Sequence, residues 1–316
     1  MNEDTHTIRT GHLDVSDGHK IYYQQWGNKD ASPIFVLHGG PGHSNSDKHK
    51  LAFDPAVHHV IFHDQRGNGL STFEEQLKGV NTQNLVADID ALRDHLGFDA
   101  MHLYGNSWGS TLALCYAISH PDRIKKMMIG GVFLGTRSED SYIFNGTDGG
   151  LKKFFPEAWE RYTELMPDNT KDTIEFYKHA LSTDDDEEKL EHYKRWVQLE
   201  GSAMTMDDDY KGFRLSIDSI DELTPEAVNK ELLSIHYFSN GCFLEDDYII
   251  NNVNKIKHIP IVITQGRFDM VCRPEVAHRL AKTLGDSCRL HIVPANHKSE
   301  GALREVQRAY AWSFLN

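Results

Sequence analysis

Met101-His102-Leu103-Tyr104-Gly105-Asn106-Ser107-Trp108-Gly109-Ser110-Thr111 is an apolar run that breaks at a Gly-x-Ser-x-Gly and leads into a second apolar stretch, Thr111 to Ser119, closed by His120-Pro121. The first run has the length of a buried strand, and the second has the length and stop signal of a helix. A glycine-flanked serine between a strand and a helix predicts a nucleophile elbow, a tight turn that lifts the serine hydroxyl clear of the backbone.

The same alternation extends in both directions. Pro33 to Leu37 is continuously apolar and ends in His38-Gly39-Gly40-Pro41-Gly42, and Val60 to Phe62 ends at Asp64. Strands that read as continuous rather than alternating belong inside a parallel sheet, covered on both faces. Leu85, Ile89, Leu92 and Leu96 recur at helical spacing up to Gly97, and Met127 to Leu134 predicts a further strand. Residues 12–26 alternate in part about Asp17-Gly18, which predicts a hairpin.

After about residue 136 the strand runs stop, and up to about residue 245 the chain is helical in character and rich in Trp, Tyr and acidic residues. Alternation resumes with Ile259 to Thr264, Pro274 to Leu284, Leu290 to Val293 and Glu300 to Phe314. The expectation is an α/β fold with a mostly parallel central sheet built from residues 1–136 and 246–316, and a helical cap inserted at 137–245 over a ligand cavity.

Composition narrows the function. Of 316 residues, 39% are hydrophobic and 25% charged, enough for a sizeable core and against disorder. The longest apolar run, Met127 to Gly135, falls far short of the ~20 residues that span a bilayer. Lys and Arg number 33 against 47 Asp and Glu, a net charge of −14 that repels phosphate backbones and anionic lipid, so neither nucleic acid nor membrane is expected as a partner. Met1-Asn2-Glu3-Asp4-Thr5 lacks the basic start and apolar stretch of a secretion signal, and Cys115, Cys242, Cys272 and Cys288 are scattered as in a reduced protein. A cytoplasmic location is expected. His58, His59 and His63 crowd around one strand without a metal-ligand spacing, and no phosphate- or dinucleotide-binding glycine loop occurs, so neither metal nor cofactor is expected. Thr183-Asp184-Asp185-Asp186-Glu187-Glu188 reads as a solvated loop.

A serine hydroxyl becomes a nucleophile when a base takes its proton, and the base needs an acid to orient it. With an elbow the chain order is serine, acid, histidine. Asp269 follows the strand after the insertion, in Gly266-Arg267-Phe268-Asp269, and His297 follows the last strand, in Pro294-Ala295-Asn296-His297. Both then emerge at the carboxyl edge of the sheet, where Ser107 lies. The developing oxyanion needs donors, for which the amides of Trp108 and Gly40 are the candidates: one follows the nucleophile and the other lies in the glycine loop after an earlier strand.

Four stretches together, His38-Gly39-Gly40-Pro41-Gly42, Asp64-Gln65-Arg66-Gly67-Asn68-Gly69-Leu70-Ser71, Gly105-Asn106-Ser107-Trp108-Gly109-Ser110 and Gly266-Arg267-Phe268-Asp269-Met270-Val271-Cys272, strongly resemble the proline iminopeptidase (prolyl aminopeptidase) family of α/β hydrolases. The resemblance implies a metal-independent serine exopeptidase that releases an N-terminal residue, typically proline, from small peptides with a free N-terminus. It also implies a cap glutamate that holds the substrate's ammonium, matched by Glu200 in Trp196-Val197-Gln198-Leu199-Glu200-Gly201, and a proline pocket at Phe133, Val271 and Cys272. The family usually carries a second glutamate two residues before a His-Tyr-Phe; here Ser234 stands at that place, before Ile235-His236-Tyr237-Phe238. Glu231, three residues earlier and on the same helical face, is the carboxylate available to substitute. Ser234 also keeps a second reading open, a general esterase or amidase on the same scaffold. Around the histidine, Asn296 and Lys298 replace the family's usual small residue and glycine before it and serine after it.

Overall fold

The computed structural model describes residues 5–146, 150–204, 214 and 216–315. Met1 to Asp4, read above for a secretion signal, lie outside them, as do parts of the 137–245 segment. The predicted hairpin forms: Asp17 and Gly18, at φ 62° and 79°, turn the chain between β1 (Thr7–Asp14) and β2 (Lys20–Gly27), which pair antiparallel. Six further strands follow: β3 (Pro33–Leu37), β4 (His59–His63), β5 (Met101–Asn106), β6 (Ile124–Gly130), β7 (Ile261–Gly266) and β8 (Cys288–Val293).

Their order in the sheet is β1-β2-β4-β3-β5-β6-β7-β8, antiparallel as far as β4 and parallel from there on. All residues of β3, β4 and β7 are buried, the expected signature of strands covered on both faces. Register sets Leu37 opposite Gly105, Asn106 opposite Gly130, Gly130 opposite Thr264, and Gly266 opposite Val293. The segments leaving β3, β5, β6, β7 and β8 therefore start along one edge.

Helices α1 (Thr82–His95) and α2 (Trp108–Ser119) precede β6. Every residue of α2 from Trp108 to Ile118 is buried, so this helix is a central element of the core, apolar nearly all round. Between β6 and β7 come α3 (Arg137–Ile143), α4 (Pro156–Thr163), α5 (Thr173–Ala180), α6 (Asp186–Met204) and α7 (Pro225–Ser239), with no strand among the described residues. Their shared core is aromatic. Phe144 stacks on Trp196 at 4.7 Å, Tyr162 on Tyr177 at 4.7 Å, and Tyr177 meets Trp196 at 5.2 Å. Large rings give a small helical layer much buried area per residue, and the hydroxyls are satisfied, Tyr162 by Thr173 at 2.9 Å and Tyr177 by the Tyr162 carbonyl at 2.7 Å. Helices α8 (Pro274–Leu284) and α9 (Gly301–Phe314) complete the sheet's cover.

One predicted strand is displaced. The run Met127 to Leu134 suggested a strand to its end, but β6 begins at Ile124 and stops at Gly130. Gly131, at φ +48°, turns the chain out of the sheet, and side chains replace the ladder. The amides of Val132, Phe133 and Leu134 donate to Gln265 Oε1 (3.0 Å), Ser110 Oγ (3.1 Å) and Glu139 Oε1 (3.1 Å). The segment is apolar because it is buried, not because it is extended.

Candidate active site

Ser107 sits at φ 57°, ψ −131°, a conformation costly for a residue with a side chain and found where a fold over-determines it. The flanking glycines show what does so. A Cβ on Gly105 would lie 2.2 Å from the Gly109 carbonyl oxygen, and one on Gly109 would lie 2.0 Å from that of Leu37. Strand β5, helix α2 and strand β3 thus approach more closely than any larger residue permits. The Ser107 amide donates to Gly130 O at 3.0 Å. Trp108 opens α2, so its own amide is one of those a helix leaves without an intrahelical acceptor.

Asp269 and His297 are in direct contact, with 2.8 Å between Asp269 Oδ2 and His297 Nδ1. The other carboxylate oxygen accepts the amides of Val271 at 3.0 Å and Cys272 at 2.8 Å, and Gln265 Nε2 donates to Oδ2 at 3.2 Å. Burial alone would lower the affinity of the His297 ring for a proton. The Asp269 charge and hydrogen bond outweigh it and hold His297 well above the ordinary histidine value. The imidazole packs on the loop after β6, where a Cβ on Gly131 would stand 3.2 Å from His297 Cε1. Gly130, next to it, receives the Ser107 amide, so the three predicted residues converge on one stretch of that loop.

The glycine loop lies beside the elbow. A Cβ on Gly39 would be 3.4 Å from Ser107 Cβ, and Gly40, at φ +122°, has no room for one, since it would meet Gly42 N at 2.6 Å. Gln65 ties this loop to the elbow: its amide and Nε2 contact His38 Nε2 and His38 O, each at 3.0 Å, while its Oε1 accepts from the Trp108 indole at 2.9 Å. Below it, Arg66 grips Asp88 through two bonds of 2.7 and 2.6 Å. Neither the Gln65 role nor that of Gln265 follows from sequence spacing; the only sign is that Gln65 lies in one of the four quoted stretches.

Helix α7 packs over this edge. Ser234 Oγ on α7 donates to the Pro41 carbonyl, and the Lys230 carbonyl packs so tightly on Gly42 that a Cβ there would lie 2.4 Å away. Ser234 thus serves the glycine loop. Glu231, buried on the same helix, accepts from the Trp196 indole at 2.9 Å and lies 3.3 Å from Lys230 Nζ. Burial and the neighbouring Glu231 charge raise Glu200 to about 7, against the opposing charges of Lys230 and His297. Glu200, Glu231 and the imidazole therefore share one electrostatic site.

Phe133, Val271 and Cys272 are all buried nearby. Thr111 Oγ1 donates to Phe133 O at 2.7 Å, fixing a ring that meets Phe238 edge-on at 6.3 Å. The Cys272 thiol faces His297, and burial pushes it up to about 11. A cavity of about 730 Å³ opens from Gly42 and His43 past Asn68, Gln76 and Tyr193 to Lys230. Among the described residues no group of three or more His, Cys, Asp or Glu side chains is placed to hold a metal ion, and no helix is long and apolar enough to cross a membrane.

A sequence model of the α/β hydrolase fold matches residues 32–299. The chain is 38% identical over 291 residues to a probable proline iminopeptidase from Leptolyngbya boryana, covering 92% of this chain and 88% of that one. It is 35% identical to the proline iminopeptidase of Neisseria gonorrhoeae, covering 94% and 93%. Among solved structures it resembles a proline iminopeptidase-related protein from Thermus thermophilus (TM-score 0.64, 18% identity, 97% and 98% covered). It also resembles an esterase from Exiguobacterium antarcticum (TM-score 0.65, 19% identity, 97% and 99% covered). At those identities the structures speak for the fold alone.

Proposed function

This chain belongs to the proline iminopeptidase family of α/β hydrolases, and from that premise we propose a serine aminopeptidase that releases an N-terminal residue, proline by preference, from small peptides through an acyl-enzyme. His297 takes the Ser107 proton as Oγ attacks the first peptide carbonyl, and Asp269 holds the ring in the working tautomer. The oxyanion is received by the amides of Gly40 and Trp108, each such donor being worth about 2.7–4 kcal/mol. The protonated His297 then gives its proton to the leaving amine as the C–N bond breaks. Water, deprotonated by the same ring, attacks the acyl-enzyme and releases the free amino acid.

The single observation that carries the exopeptidase reading is the carboxylate pair. Glu200 feels the charges of both Glu231 and His297, so a substrate ammonium held between the carboxylates places the first peptide bond, and no later one, at Ser107. A charge-assisted hydrogen bond of this kind is worth about 1.5–3 kcal/mol, and an N-blocked peptide forfeits it. Glu231 supplies the second carboxylate that Ser234 does not. Residues 137–245 act as the cap of a catalytic domain formed by 1–136 and 246–316, and Phe133, Val271 and Cys272 line the pocket for the proline ring. The four free cysteines, three of them buried, fit a reducing cytoplasm.

A substrate panel tests the reading. Proline arylamide is expected to be cleaved with higher kcat/KM than alanine arylamide, and N-acetylated arylamides to be cleaved at least a hundredfold less well. Preference for short acyl esters together with indifference to N-acetylation would replace the aminopeptidase with a general esterase.

A further inference from the structure

Two carboxylate charges close enough to act on one another, as those of Glu200 and Glu231 do, repel, and a cation beside them relieves the repulsion. The chain itself brings one. Lys230 Nζ lies 3.3 Å from Glu231 Oε1, and its charge also favours the ionised form of Glu200. An alkylammonium is the same chemical group that a peptide's free N-terminus brings. The two ends of Lys230 differ in freedom: its carbonyl is clamped on Gly42, whereas its side chain is 41% exposed and borders the 730 Å³ cavity.

We propose that the Lys230 ammonium is a tethered occupant of the Glu200–Glu231 site, displaced into the adjoining cavity by each incoming free N-terminus. This rests on the reading that the carboxylate pair receives the substrate's ammonium. Binding is then an exchange of one ammonium for another. Affinity for the substrate is lower than bare carboxylates would give. The groups facing this centre are Glu200 and Tyr193 on α6, Lys230 and Glu231 on α7, His297 after β8, and His43 after the glycine loop. Burial lowers His43 to about 3, so it adds no competing charge near neutral pH.

The test uses Lys230→Met and Lys230→Arg in the full chain, with pyrrolidinium, which stays protonated at pH 9, as a competitive inhibitor. With Lys230→Met the inhibition constant of pyrrolidinium at pH 9 is expected to fall about three- to fivefold, the range of a part-exposed ion pair. The acidic limb of kcat/KM for proline arylamide moves to higher pH, because Glu200 loses a charge that favours ionisation. The limb measured on a short acyl ester, which carries no ammonium and reports His297, does not move. Lys230→Arg keeps both parent values. An unchanged or weaker pyrrolidinium constant in Lys230→Met overturns the tethered cation. Undiminished pyrrolidinium inhibition of Glu200→Gln instead overturns the ammonium site itself, whatever Lys230→Met does.

Discussion

Asp269 uses both carboxylate oxygens: two backbone amides fix one, and His297 with Gln265 fixes the other. Asp269→Asn preserves most of that cradle but favours the wrong imidazole tautomer, so kcat on proline arylamide is expected to fall about 10⁴-fold. The pH profile supplies a second readout. The working base is neutral His297, which Asp269 raises well above the ordinary value, so kcat/KM on a short acyl ester, which carries no ammonium, climbs as pH rises through that elevated value. In Asp269→Asn the raising charge is gone while burial, which lowers the ring, remains. The limb then slides to lower pH; a limb that stays in place would show that Asp269 does not set it. The placement of Ser107, Asp269 and His297 just after β5, β7 and β8 was legible in the sequence, because the apolar pattern marks those strands. Gln65 and Gln265 were not, since an amide that bridges two loops has no characteristic spacing. That Glu231 and Ser234 share a helix was readable from their spacing, but the bond of Ser234 to Pro41 was not, because the two are 193 positions apart in the chain.

Close backbone approach governs the elements. Gly109→Ala would drive a Cβ to 2.0 Å from the Leu37 carbonyl, forcing β3 and α2 apart at the elbow. Displacement of about 1 Å at reacting atoms costs on the order of 10²-fold in rate, and overpacking about 1–3 kcal/mol in stability. Both losses are expected, measured by arylamide turnover and urea unfolding. Gly97→Ala is the contrast: at φ +78° with nothing within 4 Å, it strains the backbone after α1 and leaves turnover intact. Element order was readable from periodicity. The end of β6 was not: residues 131–134 are as apolar as a strand, and what removes them from the sheet is a set of side-chain acceptors contributed by Gln265, Ser110 and Glu139.

At the scale of the whole molecule, the net charge of −14 favours approach of cations and weakens with salt. Raising ionic strength from about 0.01 to about 0.15 M shortens the Debye length from ~30 to ~8 Å. KM for the cationic proline arylamide is expected to rise about two- to threefold, and KM for a zwitterionic dipeptide to change less; equal responses would exclude long-range attraction. The abundance of histidine, unexplained by any motif, has a structural side. His19 and His58 are buried within hydrogen-bond distance of distant carbonyls, Lys78 O at 2.9 Å and Ala311 O at 3.0 Å, and so act as cross-links between segments. The main-chain contact of Lys230 on Gly42 has a different reach. It makes the spacing between the α7 layer and the scissile-bond platform largely a property of the peptide backbone, to which Ser234 adds a single side-chain bond. Residues of α7 can then be exchanged to re-tailor which amino acid is trimmed, while the tool that cuts it keeps its setting.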